Sequence, residues 1–245
     1  MDLPPELVDE IISHVAPDDM ESLRNCSLVA KTWVYPSRRR LFETVNTCQA
    51  VHLELWLGSI SPTNISVLQH VRFLCCRISN PPTPCGMMDP ADLPGDYSPS
   101  FRRLERLTLT VGSFVSLTQI GTPGFRYSLS YLCLWYCRVK VSAIVACVDY
   151  FPNLLHLDLC NSRSDKADDQ PIPPLPRPLR KLTVTNSFPG DAPDLIYQFM
   201  ELRPQCVEVT VETSSFSSSS FTQRIIDGVA ASVKRLNLEH SFSGV

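Results

Sequence analysis

Cysteine, histidine and aspartate are the residue types in this chain with the capacity for chemistry. Ten cysteines lie at positions 26, 48, 75, 76, 85, 133, 137, 147, 160 and 206. His156 and Asp158 stand two positions apart, and Cys160 follows two positions later. A thiol, an imidazole and a carboxylate are the parts of a nucleophile, base and orienting group. Cys75, Cys133, Cys160 and His156 are also the residue types that hold zinc. The spacing argues against both chemistries. On a strand, His156 and Asp158 project from the same face, and nothing in the sequence assembles an oxyanion hole beside them. No CxxC pair occurs, and a flat ladder of strands does not supply a tetrahedron of ligands. No phosphate loop or metal motif is present. The sequence therefore assigns no catalytic residue, no metal and no cofactor. The cysteines read as small hydrophobes. Without a basic flank and apolar run at the N-terminus there is no export signal, so they are expected to be reduced thiols in the cytosol or nucleus.

The elements that carry these residues repeat. The unit is apolar-x-x-apolar-x-apolar. It occurs as Leu104-Leu107-Leu109, Leu129-Leu132-Leu134, Leu154-Leu157-Leu159, Leu179-Leu182-Val184, Cys206-Val209-Val211 and Val233-Leu236-Leu238. The starts at 104, 129, 154, 179, 206 and 233 are separated by 25, 25, 25, 27 and 27 residues. Val71-Leu74-Cys76 reads as an earlier copy. The second and third apolar positions are two apart, so both face a core while the residues around them face out. The outward columns are expected to hold Phe73, Cys75 and Arg77; Arg106, Thr108 and Thr110; Tyr131, Cys133 and Trp135; His156, Asp158 and Cys160. Lys181, Thr183 and Thr185 follow, then Glu208, Thr210 and Glu212, then Arg235, Asn237 and Glu239. Residues 141–150, 194–201 and 221–230 have helical patterning and are expected between strands. Residues 80–100 hold six prolines and read as an irregular insertion, and residues 170–178 hold five and read as an extended return. Residues 214–220 contain six serines and read as a polar loop.

The first 45 residues differ in pattern. Leu7, Ile11 and Val15 recur every four positions, widened by Val8 and Ile12, which predicts an amphipathic helix over 4–15. Pro4 and Pro5 fit its first turn, and Pro17 stops it. Asp18 and Glu21 have capping-box spacing and predict a second helix. A third helix is expected around Trp33, Leu41 and Phe42, kinked or delayed by Pro36. Arg38, Arg39 and Arg40 read as a solvated helix end that favours the macrodipole. Three short helices bury little surface, so they need a partner or the following domain.

Two resemblances follow from these residues. Leu3-Pro4-Pro5-Glu6-Leu7, Ile11-Ile12, Asp18-Asp19, Leu23, Leu28-Val29-Ala30-Lys31-Thr32-Trp33 and Leu41-Phe42 stand in an order and spacing that resembles an F-box. The repeat period resembles that of leucine-rich repeats, which runs roughly 20–29 residues. The asparagine usual after the strand is mostly missing; Asn161 and Asn186 come two residues after the third apolar position. The resemblance implies an α/β chain, with an N-terminal three-helix F-box in residues 1–45 and a leucine-rich-repeat-like solenoid with a parallel sheet in 46–245. It implies docking on the Skp adaptor, and through it a cullin–RING ligase, by Leu3, Pro4, Leu7, Ile11, Leu23, Val29 and Trp33, with Lys31 at the rim. The other reading of these residues is a helical core that sits on the repeats. The implied function is substrate recognition for an SCF-type ubiquitin ligase; the alternative is an F-box scaffold protein that binds a partner without ubiquitin transfer.

The target is unnamed by the sequence. Tyr131, Trp135, His156 and Asp158 form the densest cluster on the outward columns. They read either as binding anchors for a protein target or as an intramolecular ladder in which each ring leans on its neighbour or on residues 80–100. Basic and acidic residues nearly balance, 22 against 25, so nucleic-acid binding is not expected. No apolar run reaches the roughly 18 residues a membrane span requires. Hydrophobic residues make up 44% of the chain, enough for a real core.

Overall fold

Pro4 caps and Pro5 begins the first helix, α1 (Pro5–Ser13), where a missing N–H breaks no bond. These elements come from a computed structural model, which describes residues 3–16, 18–47, 68–77, 101–114, 126–164, 171–186, 194–213 and 219–240. The stopping residue Pro17 and the whole proline-rich stretch 80–100 lie outside that set, as do 165–170 and 214–218. The second helix, α2 (Met20–Val29), is capped by Asp19 and not by Asp18 as the spacing suggested. The Asp19 carboxylate accepts from the Ser22 backbone N–H at 3.0 Å, three positions into the helix. That satisfies an otherwise orphaned donor. A single extended residue, Ala30, separates α2 from α3 (Lys31–Leu41). Pro36 therefore does not delay the third helix; it lies inside it, buried. Its ring removes one backbone bond.

α3 packs on both α1 and α2. Val8, Ile12 and Leu23 are fully or nearly fully buried there, with Val15, Cys26, Trp33 and Leu41 packed around them. This small cluster is separate from the main core.

The rest of the described chain is one sheet. Its strands are β1 (Thr44–Thr47), β2 (Phe73–Arg77), β3 (Arg106–Phe114), β4 (Tyr131–Val139), β5 (His156–Cys160), β6 (Leu179–Asn186), β7 (Cys206–Thr213) and β8 (Arg235–His240). Every neighbouring pair is parallel and the spatial order equals the chain order. With the three further helices α4 (Val141–Tyr150), α5 (Asp194–Glu201) and α6 (Ser219–Val229), the described residues form six helices and eight parallel strands. β1 was not anticipated. It begins at Thr44, inside the range read as the helical module, and brings only Val45 to the core. Residues 171–178 contain no helix, in keeping with their five prolines.

The register follows the repeat. Leu107, Leu132, Leu157, Leu182 and Val209 lie level on adjacent strands, each no more than 2% exposed. Leu109, Leu134, Leu159, Val184 and Val211 form the second buried row. Ile144, Val148, Leu195, Phe199, Phe221 and Ile225 come from α4, α5 and α6 to cover that face. The last pair, Leu236 and Leu238 of β8, remains 38% and 49% exposed.

The position three residues after the second buried row holds a device that the missing asparagines concealed. Ser162 is fully buried, and its hydroxyl donates to the Leu134 carbonyl at 2.9 Å and accepts from the Cys137 N–H at 3.2 Å. Cys137, at the same place one repeat earlier, points its thiol at the Leu109 carbonyl at 3.4 Å. Short polar side chains thus satisfy backbone groups between strands, the task that the expected asparagine would have done. Tyr136 and Asn161, each just before one of these positions, adopt left-handed backbone at φ 57° and 52°. This inversion shifts the in-and-out alternation by one residue and returns Cys137 and Ser162 to the interior.

Candidate functional site

The residues predicted to act fall on two surfaces. The first is the outer side of the helical module. In α1 the apolar residues divide: Val8 and Ile12 turn inward, whereas Leu7 and Ile11 are 51% and 42% exposed. Leu3 is 42% exposed, and Pro4 is exposed beside it. On α2, Val29 is 64% exposed. Leu28 beside it is 82% exposed, and Met20 and Tyr35 are exposed too; the docking set read from the sequence omitted these three. Leu23 is corrected by this geometry. It is fully buried between the helices, so it holds the module together and offers no contact surface. Trp33 is half-buried on the same core. Lys31 is exposed, as a rim residue requires. Large apolar side chains left in water at this density are the usual mark of an interaction surface.

The second surface is the face of the sheet turned away from the helices. The expected columns are in register here: Arg106, Tyr131, His156 and Lys181 lie level, then Thr108, Cys133, Asp158 and Thr183, then Thr110, Trp135, Cys160 and Thr185. Tyr131, His156 and Asp158 are knitted to one another. The Tyr131 hydroxyl donates to the Asp158 carboxylate. The Tyr131 ring meets His156 edge-on at 6.3 Å, and the Arg106 guanidinium lies 4.1 Å over its face. Burial, then the hydrogen bond to Asp158, raises the Tyr131 pKa, so the phenol stays protonated. Burial, followed by the nearby Arg180, lowers that of His156. The intramolecular ladder is thus realised for these three residues. Trp135 stands apart. It is 46% exposed and stacks on Tyr136 with ring centroids 5.9 Å apart. Two successive residues of an ideal strand point to opposite faces. The left-handed backbone at Tyr136 brings both rings to one side, and nothing in the apolar pattern announced it.

Beside the aromatic residues runs a row of weak donors. Cys133 hydrogen-bonds Cys160, the Cys160 thiol lies 3.7 Å from the Thr185 hydroxyl, and that hydroxyl donates to Glu212 at 3.0 Å. Donation to Cys160, together with burial, raises the Cys133 pKa; the same bond lowers that of Cys160. The carboxylate and imidazole two and four positions before it are turned to Tyr131: Asp158 accepts from its hydroxyl and the His156 ring meets its edge. Among the described residues, no three His, Cys, Asp or Glu side chains gather in a geometry that could hold a metal ion. No helix among them is long and apolar enough to cross a membrane.

The two surfaces differ in chemistry: one is apolar and helical, the other a polar sheet with an aromatic pair. Compared with known proteins, the chain matches no protein-family model and no curated protein sequence.

Proposed function

We propose that this chain is a substrate-recognition subunit of an SCF-type ubiquitin ligase, an F-box joined to a leucine-rich-repeat-like solenoid. The observation that carries the reading is the module's exposed apolar side. Leu3, Leu7, Ile11, Leu28 and Val29 are all 42% exposed or more on a three-helix unit whose hydrophobic cluster has three buried residues among those described. Such a unit lacks the surface to stabilise itself and presents the surface that a partner would cover. In this reading Leu3, Pro4, Leu7, Ile11 and Val29 contact the Skp adaptor, and Trp33 braces them. The open face of the sheet around Trp135 holds the target protein. The chain itself performs no bond chemistry. It raises the effective concentration of the target near a ubiquitin-conjugating enzyme held on the same scaffold.

The test is co-precipitation with the Skp adaptor and cullin. The wild-type chain should bring both down, and Leu3→Ala with Pro4→Ala, or Leu7→Asp alone, should abolish it while the circular dichroism of the sheet is unchanged. Binding that survives both changes would end the F-box assignment. Adaptor binding with no effect on the turnover of any captured target would favour the scaffold reading instead.

A further inference from the structure

A cavity of about 460 Å³ lies where the helical module meets the first strands of the sheet. Its lining is strongly cationic. Arg39 and Arg40 come from α3, and Arg72 and Arg103 from the approaches to β2 and β3. Two carboxylates share the space, Glu43 and Glu105, and both are already committed. Arg72 forks onto Glu105 at 3.0 and 2.7 Å and reaches Glu43 at 2.8 Å; Arg40 also holds Glu43 at 2.8 Å. Four guanidinium groups against two carboxylates leave a surplus of two positive charges. Asp9, outside the lining, offsets Arg39 in an ion pair at 3.8 Å, so the uncompensated charge is carried chiefly by Arg103.

Among the described residues, polar atoms without a hydrogen-bond partner line the same space. His70 borders the cavity and is 5% exposed, and its Nδ1 has no hydrogen-bond partner. Arg40 keeps Nε buried and unpaired although its terminal nitrogen is bonded. Buried polar groups of this kind are uncommon and call for a partner. Tyr35 meets the His70 ring edge-on at 5.1 Å and fixes its plane. Guanidinium groups from α3 and from the approaches to β2 and β3, with a buried imidazole in the same lining, match the charge and donor demands of a phosphate. The volume falls in the lower part of the range of about 300–1,000 Å³ that small-molecule sites occupy.

We propose that this junction cavity binds a small phosphate-bearing molecule, with Arg39, Arg103 and His70 as the groups that meet its phosphate. Glu43 and Glu105 hold Arg72 and Arg40 in place and give the site its walls. Because α3 belongs to the module and Arg72 and Arg103 to the sheet, an occupied site ties the two units together. This inference stands apart from the adaptor reading, whose residues lie on the outer side of the module.

The site offers a spectroscopic reporter. Burial, and then the charges of Arg103 and Arg39, lower the His70 pKa. The groups around it are Arg39 and Arg40 on α3, and Arg72, Arg103, Glu43 and Glu105 at the strand starts. A bound dianion offsets that positive field, so the His70 pKa must rise on binding. The experiment uses the full chain with inorganic pyrophosphate as the probe. Calorimetry should give saturable one-to-one binding, weakened at least tenfold in the double variant R39A/R103A. An NMR titration of the wild-type imidazole should show the His70 pKa raised by pyrophosphate and not by sodium chloride of equal ionic strength. Absence of saturable binding, a loss below tenfold, or an equal shift with chloride would each overturn the proposal. Adaptor co-precipitation by R39A/R103A is expected to be normal, which keeps failure of this site separate from failure of the F-box reading.

Discussion

Leu157→Ala tests the packing of the sheet most directly. Leu157 is fully buried on β5, with Leu132 on one side and Leu182 on the other at the same level. Alanine removes three carbon groups, worth about 2.4 kcal/mol at ~0.8 kcal/mol each. The neighbouring strands are held at fixed spacing by the parallel ladder, so the gap cannot close fully. A residual void of about 50 Å³ adds about 1.2 kcal/mol at ~24 cal/mol per Å³. The expected cost is therefore about 3–4 kcal/mol. Leu155 supplies the control, since it lies just before the strand and is 42% exposed. Its change to alanine should cost less than about 1 kcal/mol, as surface truncations do. Urea unfolding followed by circular dichroism measures both, and the transition midpoint should move far more for Leu157→Ala at an unchanged slope. Equal losses for the two variants, or a Leu157→Ala cost below about 1 kcal/mol, would refute the assigned register.

Three further outcomes are expected. Ser162→Ala should cost about 1–3 kcal/mol because it strands the buried Leu134 carbonyl and Cys137 N–H, and Ser162→Cys should recover part of this, as a thiol already serves at Cys137; thermal melts of the two variants decide it. His70 and His156 both have pKa values lowered from 6.5 in the folded chain, so the stability they contribute is full above about pH 6.5 and declines as the pH falls toward their folded values; denaturant midpoints across that window should drop, and His70→Gln with His156→Gln should flatten the decline. Alkylation of the native chain at mildly alkaline pH, read by peptide mass spectrometry, should modify Cys160 before Cys133, Cys137 and Cys206, because its hydrogen bond to Cys160 and burial raise the Cys133 thiol and burial pushes the other two up to about 12; prior labelling of Cys133 would reverse the proposed direction of that hydrogen bond.

The sheet was legible in the sequence because a strand buried on one face repeats its apolar positions at a fixed offset. From Leu104 to Leu238 that offset alone gave strand, register and facing. β1 was illegible for the complementary reason. Its four residues bring one apolar side chain to the core, and Thr47 stands where the unit's last apolar position would be. Capping at Asp19 instead of Asp18 is a one-residue matter of whose carboxylate reaches the Ser22 N–H, and two adjacent aspartates give no pattern to separate them. On the helical module, periodicity gave the apolar stripe but not its division, because Leu7 and Val8 are equally apolar and the neighbouring helices decide which turns inward. On the open face, columns could be listed from alternation, but the pairing of Tyr131 with Asp158 needed the third dimension. The left-handed turn at Tyr136 was hidden because the residue is one that rarely adopts it. The junction cavity draws on α3 and on residues around 70 and 103, which no local motif connects.

The identity of spatial and chain order in the sheet has a mechanical consequence. No strand is clamped between segments distant in sequence, so a pull on the two ends loads the outermost ladder first and leaves the next untouched until it gives. The sheet should peel one strand at a time. From β3 to β8 each detachment frees one repeat of 25–27 residues, or roughly 80–95 Å of extended chain at about 3.3–3.6 Å per residue, and the two steps before β3 free 29 and 33 residues. A force trace would then be a sawtooth of nearly even teeth, with the repeat period written in its spacing.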